Sequence, residues 1–233
     1  MAPMFREIDQ DFFKKWTPTM AYILGYFAAD GTMLANKRGG HYIEFHSTDK
    51  CLIEMTRSAL KSGHRIGVRI PNKKRKNHKI SYRIQIGSKE MFADLEALGF
   101  VQNKSNVLAF PEVPPKYLAD FVRGYFDGDG CVYFKRHKFA DRKKLRWILM
   151  TTFCSGSRLF LEELHRLLKR FEIQGGSLKN KTYGAYDLAF SFRDSLALYR
   201  LMYNTGSVTG LYLPRKYKLF QRAIRTMYPK MRP

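Results

Sequence analysis

A chain of 233 residues with 45% hydrophobic and 15% aromatic side chains can bury a proper core, which excludes a disordered tail. Its 42 Lys and Arg against 20 Asp and Glu leave a formal charge of +22, whose self-repulsion a polyanion would relieve. Nucleic acid is the first such partner and an anionic membrane surface the second. The membrane finds no support, because there is no run of about 18 apolar residues, no lipidation signal and no signal-peptide core. A soluble intracellular protein is expected, in a prokaryotic cytoplasm or an organelle.

Along the chain, Thr17-Pro18 predicts the start of a helix over 19–30 that Gly31 ends. Strands are expected at Thr32–Lys37 and His41–Ser47, around a turn at Arg38-Gly39-Gly40. Thr48-Asp49 opens a helix with apolar Leu52, Ile53, Met55, Ala59 and Leu60, closed by Gly63. Two further strands, Arg65–Ile70 and Lys79–Gly87, flank a basic loop at 71–78. In the second of them Lys79, Ser81, Arg83 and Gln85 alternate with Ile80, Tyr82, Ile84 and Ile86. One face is therefore apolar, and the other, without an acid, suits phosphates and base edges. A helix at about 88–98 leads to Gly99, and three prolines stiffen the join at 103–116.

The second half repeats this plan. A helix is expected at 116–129, then strands at 131–139 and Leu145–Phe153 around a basic turn. Ser155–Phe171 reads as a helix capped by Ser155 or Ser157, burying Leu159, Leu161, Leu164, Leu167, Leu168 and Phe171. Strands at Ser177–Lys181 and Ala185–Phe192, a helix from Asp194 to Tyr203 and a basic helix at about 214–227 complete the chain. Helix, two strands, helix, two strands, helix thus occurs twice, an internal duplication with units at 1–102 and 117–233 joined by 103–116. Cys51, Cys131 and Cys154, odd in number and without Cys-x-x-Cys spacing, are expected to be buried free thiols.

The clearest repeat is local. Ile23-Leu24-Gly25-Tyr26-Phe27-Ala28-Ala29-Asp30-Gly31 is matched by Val122-Arg123-Gly124-Tyr125-Phe126-Asp127-Gly128-Asp129-Gly130. Gly inside a helix costs about 0.5–1 kcal/mol against Ala, so Gly25 and Gly124 need a reason. With Ala21, Ala29 and Gly128 near i±4 they let two helix backbones approach closely. An acid at a helix C-terminus opposes the macrodipole, so Asp30 and Asp129 need one too; a shared cation supplies it.

These two stretches resemble the LAGLIDADG homing endonucleases, or meganucleases, in the form that carries two motifs on one chain. The resemblance covers residues 17–213. It implies an α+β fold of two pseudo-symmetric αββαββα units packed through their motif helices at Gly25 and Gly124, with antiparallel sheets forming a DNA-binding saddle. It implies a monomer that hydrolyses both strands of a long DNA target. A strand of about nine residues at ~3.3 Å each spans roughly 30 Å, so two halves cover on the order of 20 base pairs, and because the halves differ the target is expected to be asymmetric. The resemblance also implies a divalent cation, Mg²⁺ first, with Mn²⁺ or Ca²⁺ able to replace it in binding. The carboxylates of Asp30 and Asp129 and the carbonyls of Ala29 and Gly128 would hold it. The family's earlier acid is kept as Asp127 and lost as Ala28. Lys104 stands where the family places an assisting cation or base; aligning Leu108–Pro111 with Leu211–Pro214 gives it Ser207 as counterpart.

Affinity would come from Lys and Arg on phosphates, and base reading from outward strand residues. The candidates are Asn36, Arg38, Glu44, His46, Arg65, Arg69, Lys79, Ser81, Arg83 and Gln85 in the first half. In the second they are Lys135, His137, Arg146, Thr152, Lys179, Lys181 and Asp187. The six histidines lack metal-ligand spacing, which disfavours a zinc nuclease. Intron homing is the expected context. The alternative is an RNA maturase that assists splicing of its host intron RNA, alone or besides cleaving DNA. Intact acids in both motifs favour cleavage over this and over a DNA-binding protein that no longer cuts. A start at Met1 and the lack of room for a splicing domain argue against an intein.

Overall fold

A computed structural model of the chain describes residues 6–71, 79–138, 145–181, 184–204 and 210–228. Helix α1, Pro18–Asp30, begins where the Thr17 hydroxyl accepts from the Met20 amide at 3.0 Å and Pro18 fills the first turn, whose N–H has no helical partner. Every residue from Met20 to Ala28 is buried, so this helix is a core element rather than an amphipathic one. Strands β1 (Gly31–Ala35) and β2 (His41–Ser47), helix α2 (Lys50–Ala59), strands β3 (Gly67–Arg69) and β4 (Ser81–Gly87) and helix α3 (Lys89–Ala97) follow. The sheet is antiparallel throughout, in the order β1-β2-β4-β3. Ile43 and Phe45 of β2 and Ile84 and Ile86 of β4 are buried. Phe27 of α1 meets Phe45 and Phe100 edge-on at 5.2 and 5.4 Å.

Helix α4, Leu118–Asp129, is entered through a 3₁₀ turn at Pro115–Tyr117. The second sheet comprises β5 (Gly130–His137), β6 (Arg146–Ser155), β7 (Ser177–Asn180) and β8 (Tyr186–Phe190), antiparallel in the order β5-β6-β8-β7. With it come α5 (Arg158–Leu168), α6 (Phe192–Tyr203) and α7 (Pro214–Met227). Ser157 caps α5, accepting from the Phe160 amide at 3.3 Å while its hydroxyl donates to the Leu108 carbonyl at 2.7 Å. The two four-stranded sheets share one topology, as the duplicated sequence pattern requires.

The compact bodies are not the two chain halves. One takes residues 1–104, 111–128 and 209–211, the other 105–110, 129–208 and 212–233. Helix α4 up to Gly128 therefore belongs to the body built on α1, because the two motif helices pack on each other.

Several expectations are corrected in detail. The first hairpin closes at Asn36, whose side-chain oxygen accepts from the Arg38 and Gly40 amides at 3.0 and 2.8 Å while Gly39 takes φ +77°. Arg65 and Lys79, expected on strands, lie exposed before β3 and β4. Leu159 is 72% exposed, and Phe160 takes the buried place. Helix α6 starts two residues earlier than expected, at Phe192. The cysteines are not buried: Cys131 is exposed, and Cys51 and Cys154 are half-buried. The basic stretches 72–78 and 139–144 lie outside the described residues.

Candidate active site and nucleic-acid interface

Glycine sets the approach of the motif helices. A Cβ built on Gly25 would collide with the Phe121 carbonyl oxygen and lie 2.9 Å from the Tyr125 amide nitrogen. One built on Gly124 would collide with the Tyr22 carbonyl oxygen and lie 3.0 Å from the Tyr26 nitrogen. The reciprocal pattern is that of two helices crossing with backbone on backbone. It continues to their C-terminal ends, where a Cβ on Gly128 would clash with the Ala29 methyl and lie 3.3 Å from Asp30 Oδ2. The Asp30 carboxylate thus stands beside the last turn of α4, and Asp129 is the next residue along that helix. Both acids are half-buried.

Near Asp30 the helix end is reinforced. The Gly31 amide closes onto the Phe27 carbonyl. Lys104, only 6% exposed, donates from Nζ to the Ala28 carbonyl at 3.1 Å and lies 5.7 Å from the Phe27 ring centroid. Its charge opposes the negative end of the α1 dipole, offsetting what an acid at that end costs. Burial, reinforced by the charge of Asp30, pushes the Tyr26 phenol well above its ordinary range, and its hydroxyl donates to the His46 carbonyl at 2.9 Å.

The same device occurs after Asp129, and the sequence reading missed it. Lys216, 3% exposed in the first turn of α7, donates to the Gly130 carbonyl at 2.6 Å. Ser207, the counterpart first assigned to Lys104, lies outside the described residues. The signal was present: Lys216, Phe220, Ala223 and Ile224 follow the i, i+4, i+7, i+8 spacing of a buried stripe, and all four are buried. Asp127, the family's earlier acid, is buried and accepts from the Tyr22 hydroxyl at 2.8 Å, which makes it part of the helix packing.

Within each sheet, the sequence-predicted contact residues that lie on strands share one face. In the first, the register sets Glu44 opposite Gln85, His46 opposite Arg83 and Arg69 opposite Ser81. Glu44, His46, Arg69, Ser81 and Arg83 line a shallow groove with Gly67, Val68 and Tyr82. The face is not acid-free: Glu44 accepts from Arg83 Nη1 at 3.4 Å and Gln85 Nε2 at 3.3 Å. Ser81, expected in the open, is buried at the floor beside β3. Arg38 is exposed in the turn, and Asn36 spends its oxygen there. In the second sheet His137 faces Arg146, Cys131 faces Thr152, and Lys179 and Cys154 flank Asp187. Lys135, His137, Arg146 and Lys179 are exposed, and Thr152 is half-buried. Lys181 Nζ pairs with Asp187 at 3.4 Å.

A model of the LAGLIDADG-like domain matches residues 17–98 and again 116–203, most of the chain and both repeats. The chain belongs to the LAGLIDADG family. It has the form in which one polypeptide carries two motif units. Among solved structures of this family, I-AabMI bound to uncleaved DNA is 13% identical, with a TM-score of 0.59 over 91% of this chain and 90% of that one. I-SmaMI bound to cleaved DNA is 10% identical, with a TM-score of 0.58 over 89% and 87%. Mesophilic variants of the homing endonuclease I-DmoI are 15% identical, with a TM-score of 0.56 over 87% and 97%. At these identities the likeness is one of fold. Among curated relatives, an uncharacterized protein of Methanocaldococcus jannaschii is 26% identical over 118 residues, 50% of this chain and 40% of that protein. A probable translation initiation factor IF-2 of the same organism is 28% identical over 148 residues, 60% of this chain and 11% of that one. The LAGLIDADG chain therefore spans less than half the length of the curated relatives it matches. Among the described residues, no helix is long and apolar enough to cross a membrane, and no three His, Cys, Asp or Glu side chains cluster as a metal centre.

Proposed function

We propose that this LAGLIDADG chain is a monomeric, site-specific, intron-encoded endonuclease that hydrolyses both strands of a long asymmetric DNA target with a divalent cation. The observation that carries the reading is a repeated one: an acid ends each of two glycine-packed motif helices, and a buried lysine holds a backbone carbonyl within two residues of each acid. The donors suit the ion. Asp30 and Asp129 with the carbonyls of Ala29 and Gly128 offer only hard oxygen, which fits Mg²⁺ better than a nitrogen- or sulfur-seeking metal. When bound, such an ion activates water and neutralises charge at the phosphate.

The chain's own residues do the rest. Lys104 and Lys216 put one cation beside each helix end, where negative charge builds on the phosphate. The faces bearing Arg69, Arg83 and Gln85, and Lys135, His137, Arg146 and Lys179, contact the duplex. Replacing Lys104 or Lys216 singly with Met slows one strand by about 10- to 100-fold more than the other. Single-turnover cleavage with each strand labelled checks this; equal slowing of both strands speaks against separate stations.

Helix α7 adds phosphate contacts. Arg215, Lys218, Arg222 and Arg225 are exposed at the spacing of one helical face, and α7 contains no acid. The exposed Arg158 and Arg166 of α5 are paired with Glu162 and Glu163. Changing the four α7 cations to Gln lowers the slope of log affinity against log salt by about 2–4 on a non-specific duplex of about 30 base pairs. Changing Arg158 and Arg166 moves it by less than about 1. The decisive experiment for the function itself is incubation with a duplex spanning the uninterrupted insertion site of the host gene, with and without Mg²⁺. No cleavage in Mg²⁺ removes the nuclease reading.

A further inference from the structure

The second motif helix is charged where the first is apolar. Ala21, Leu24 and Ala28 of α1 stand at the repeat positions of Asp120, Arg123 and Asp127 of α4, and all six are buried. Buried ions usually stabilise no better than hydrocarbon of the same volume, and α1 has the hydrocarbon solution. The charges in α4 therefore call for a role that Leu24 does not perform.

Arg123 is fully buried, and its partners include Asp120, Tyr22 and Leu211. Nη2 donates to Asp120 Oδ1 at 2.6 Å, the guanidinium lies 5.5 Å from the Tyr22 ring centroid, and Nε donates to the Leu211 carbonyl at 2.9 Å. Asp120 sits one turn earlier and fixes the fork. The Leu211 bond reaches out of the helix, to a part of the chain far off in sequence. Leu211 precedes α7 by two residues, and at the start of α7 Leu213, the N-cap residue, makes no side-chain capping bond. The helix is therefore not anchored at its start by the usual hydroxyl or carboxylate. Five residues beyond Leu211, Lys216 reaches the Gly130 carbonyl, immediately after Asp129.

We propose that Arg123 is a positioning residue for Lys216: by holding the Leu211 carbonyl it fixes where α7 begins, and so whether Lys216 meets Gly130. Lys104 stands in a short 3₁₀ turn, Lys104–Asn106, and the first motif helix carries Leu24 at the repeat position of Arg123. The second motif helix thus carries a buried guanidinium where the first carries a leucine. The consequence for cleavage rests on the endonuclease reading, but the placement of Lys216 does not.

The test uses the full chain and two variants. D120A/R123L gives α4 the residues α1 already carries at those two positions and removes both members of the Asp120–Arg123 pair. R123K keeps a cation, but one ammonium lacks the planar fork that serves Asp120 and Leu211 together. After a thermal melt to establish folding, each protein receives a brief pulse of acetic anhydride, and mass spectrometry reads acetylation of Lys216 and Lys104. Lys216 is expected to label roughly tenfold faster in D120A/R123L and several-fold faster in R123K, with Lys104 within about twofold of the parent. The proposal is overturned if Lys216 is unchanged in a folded variant, if both lysines rise together, or if neither variant folds, since Arg123 would then serve stability alone. On a strand-labelled target, D120A/R123L slows one strand selectively; equal rates on both strands overturn the catalytic consequence. A parent protein that fails to cut in Mg²⁺ defeats the endonuclease reading instead, and leaves the labelling result standing.

Discussion

Asn in place of Asp30 or Asp129 abolishes cleavage, by about 10³-fold or more, and leaves affinity for the same duplex within about threefold. The separation follows from where the acids sit. Each is a single half-buried carboxylate at a helix end, and neither is one of the outward strand residues that would bind DNA. Asn preserves the shape and the ability to accept a hydrogen bond, so the helix packing is left intact. What it removes is one unit of negative charge, the part of the side chain that a hard divalent ion needs. Binding has no use for that charge; a carboxylate repels the DNA backbone, and its loss strengthens affinity slightly if it changes it at all. Gel-shift titration in Ca²⁺ beside single-turnover cleavage in Mg²⁺ separates the two quantities. Undiminished cutting by D30N or D129N would show that these acids do not hold the ion. The same variants also weigh the maturase alternative, because folding an intron RNA makes no demand on either carboxylate.

Ala at Gly25 or Gly124 destabilises the fold by about 2–4 kcal/mol, lowering the melting temperature by roughly 5–15 °C. The usual expectation for Gly to Ala inside a helix is the opposite sign, a gain near 1 kcal/mol from propensity. Here the added methyl meets main-chain carbonyl oxygens, of Phe121 in one case and Tyr22 in the other. Neither can swing aside, because each belongs to the facing helix and is held in its hydrogen-bond ladder. The helices must separate, and with them Asp30 and the last turn of α4. A melt by circular dichroism measures the loss. A G25A or G124A protein as stable as the parent would mean that the helices do not pack through these residues. Cleavage should fall further than stability alone explains, since a shift of about 1 Å is enough to misplace reacting groups.

The amino-acid sequence by itself determined the family, the duplicated order of helices and strands, the two terminal acids and the glycines beside them. It could do so because these features are local. A period of 3.6 or 2, a Thr-Pro start and a small residue every fourth position each express their physics within a few neighbours. Lys104 was named on the family resemblance, from its place just before the Leu108–Pro111 segment. Lys216 was not read. It lies two residues beyond Pro214, whereas Lys104 lies seven before Pro111, so no alignment of the halves brings the two lysines together. Only the folded chain carries each to the carbonyl beside its acid.

The strand faces show the same division. Alternation placed Arg83 and Gln85 outward correctly, but only pairing with β2 revealed Glu44 between them, and only β3 covered Ser81. Which residues share a face within one strand is fixed by the pleat. Which residue of another strand lies opposite depends on register, a long-range property that no single stretch of sequence encodes. The bonds from Tyr22 to Asp127 and from Arg123 to Leu211 go further, since tertiary structure alone joins positions that far apart in the chain.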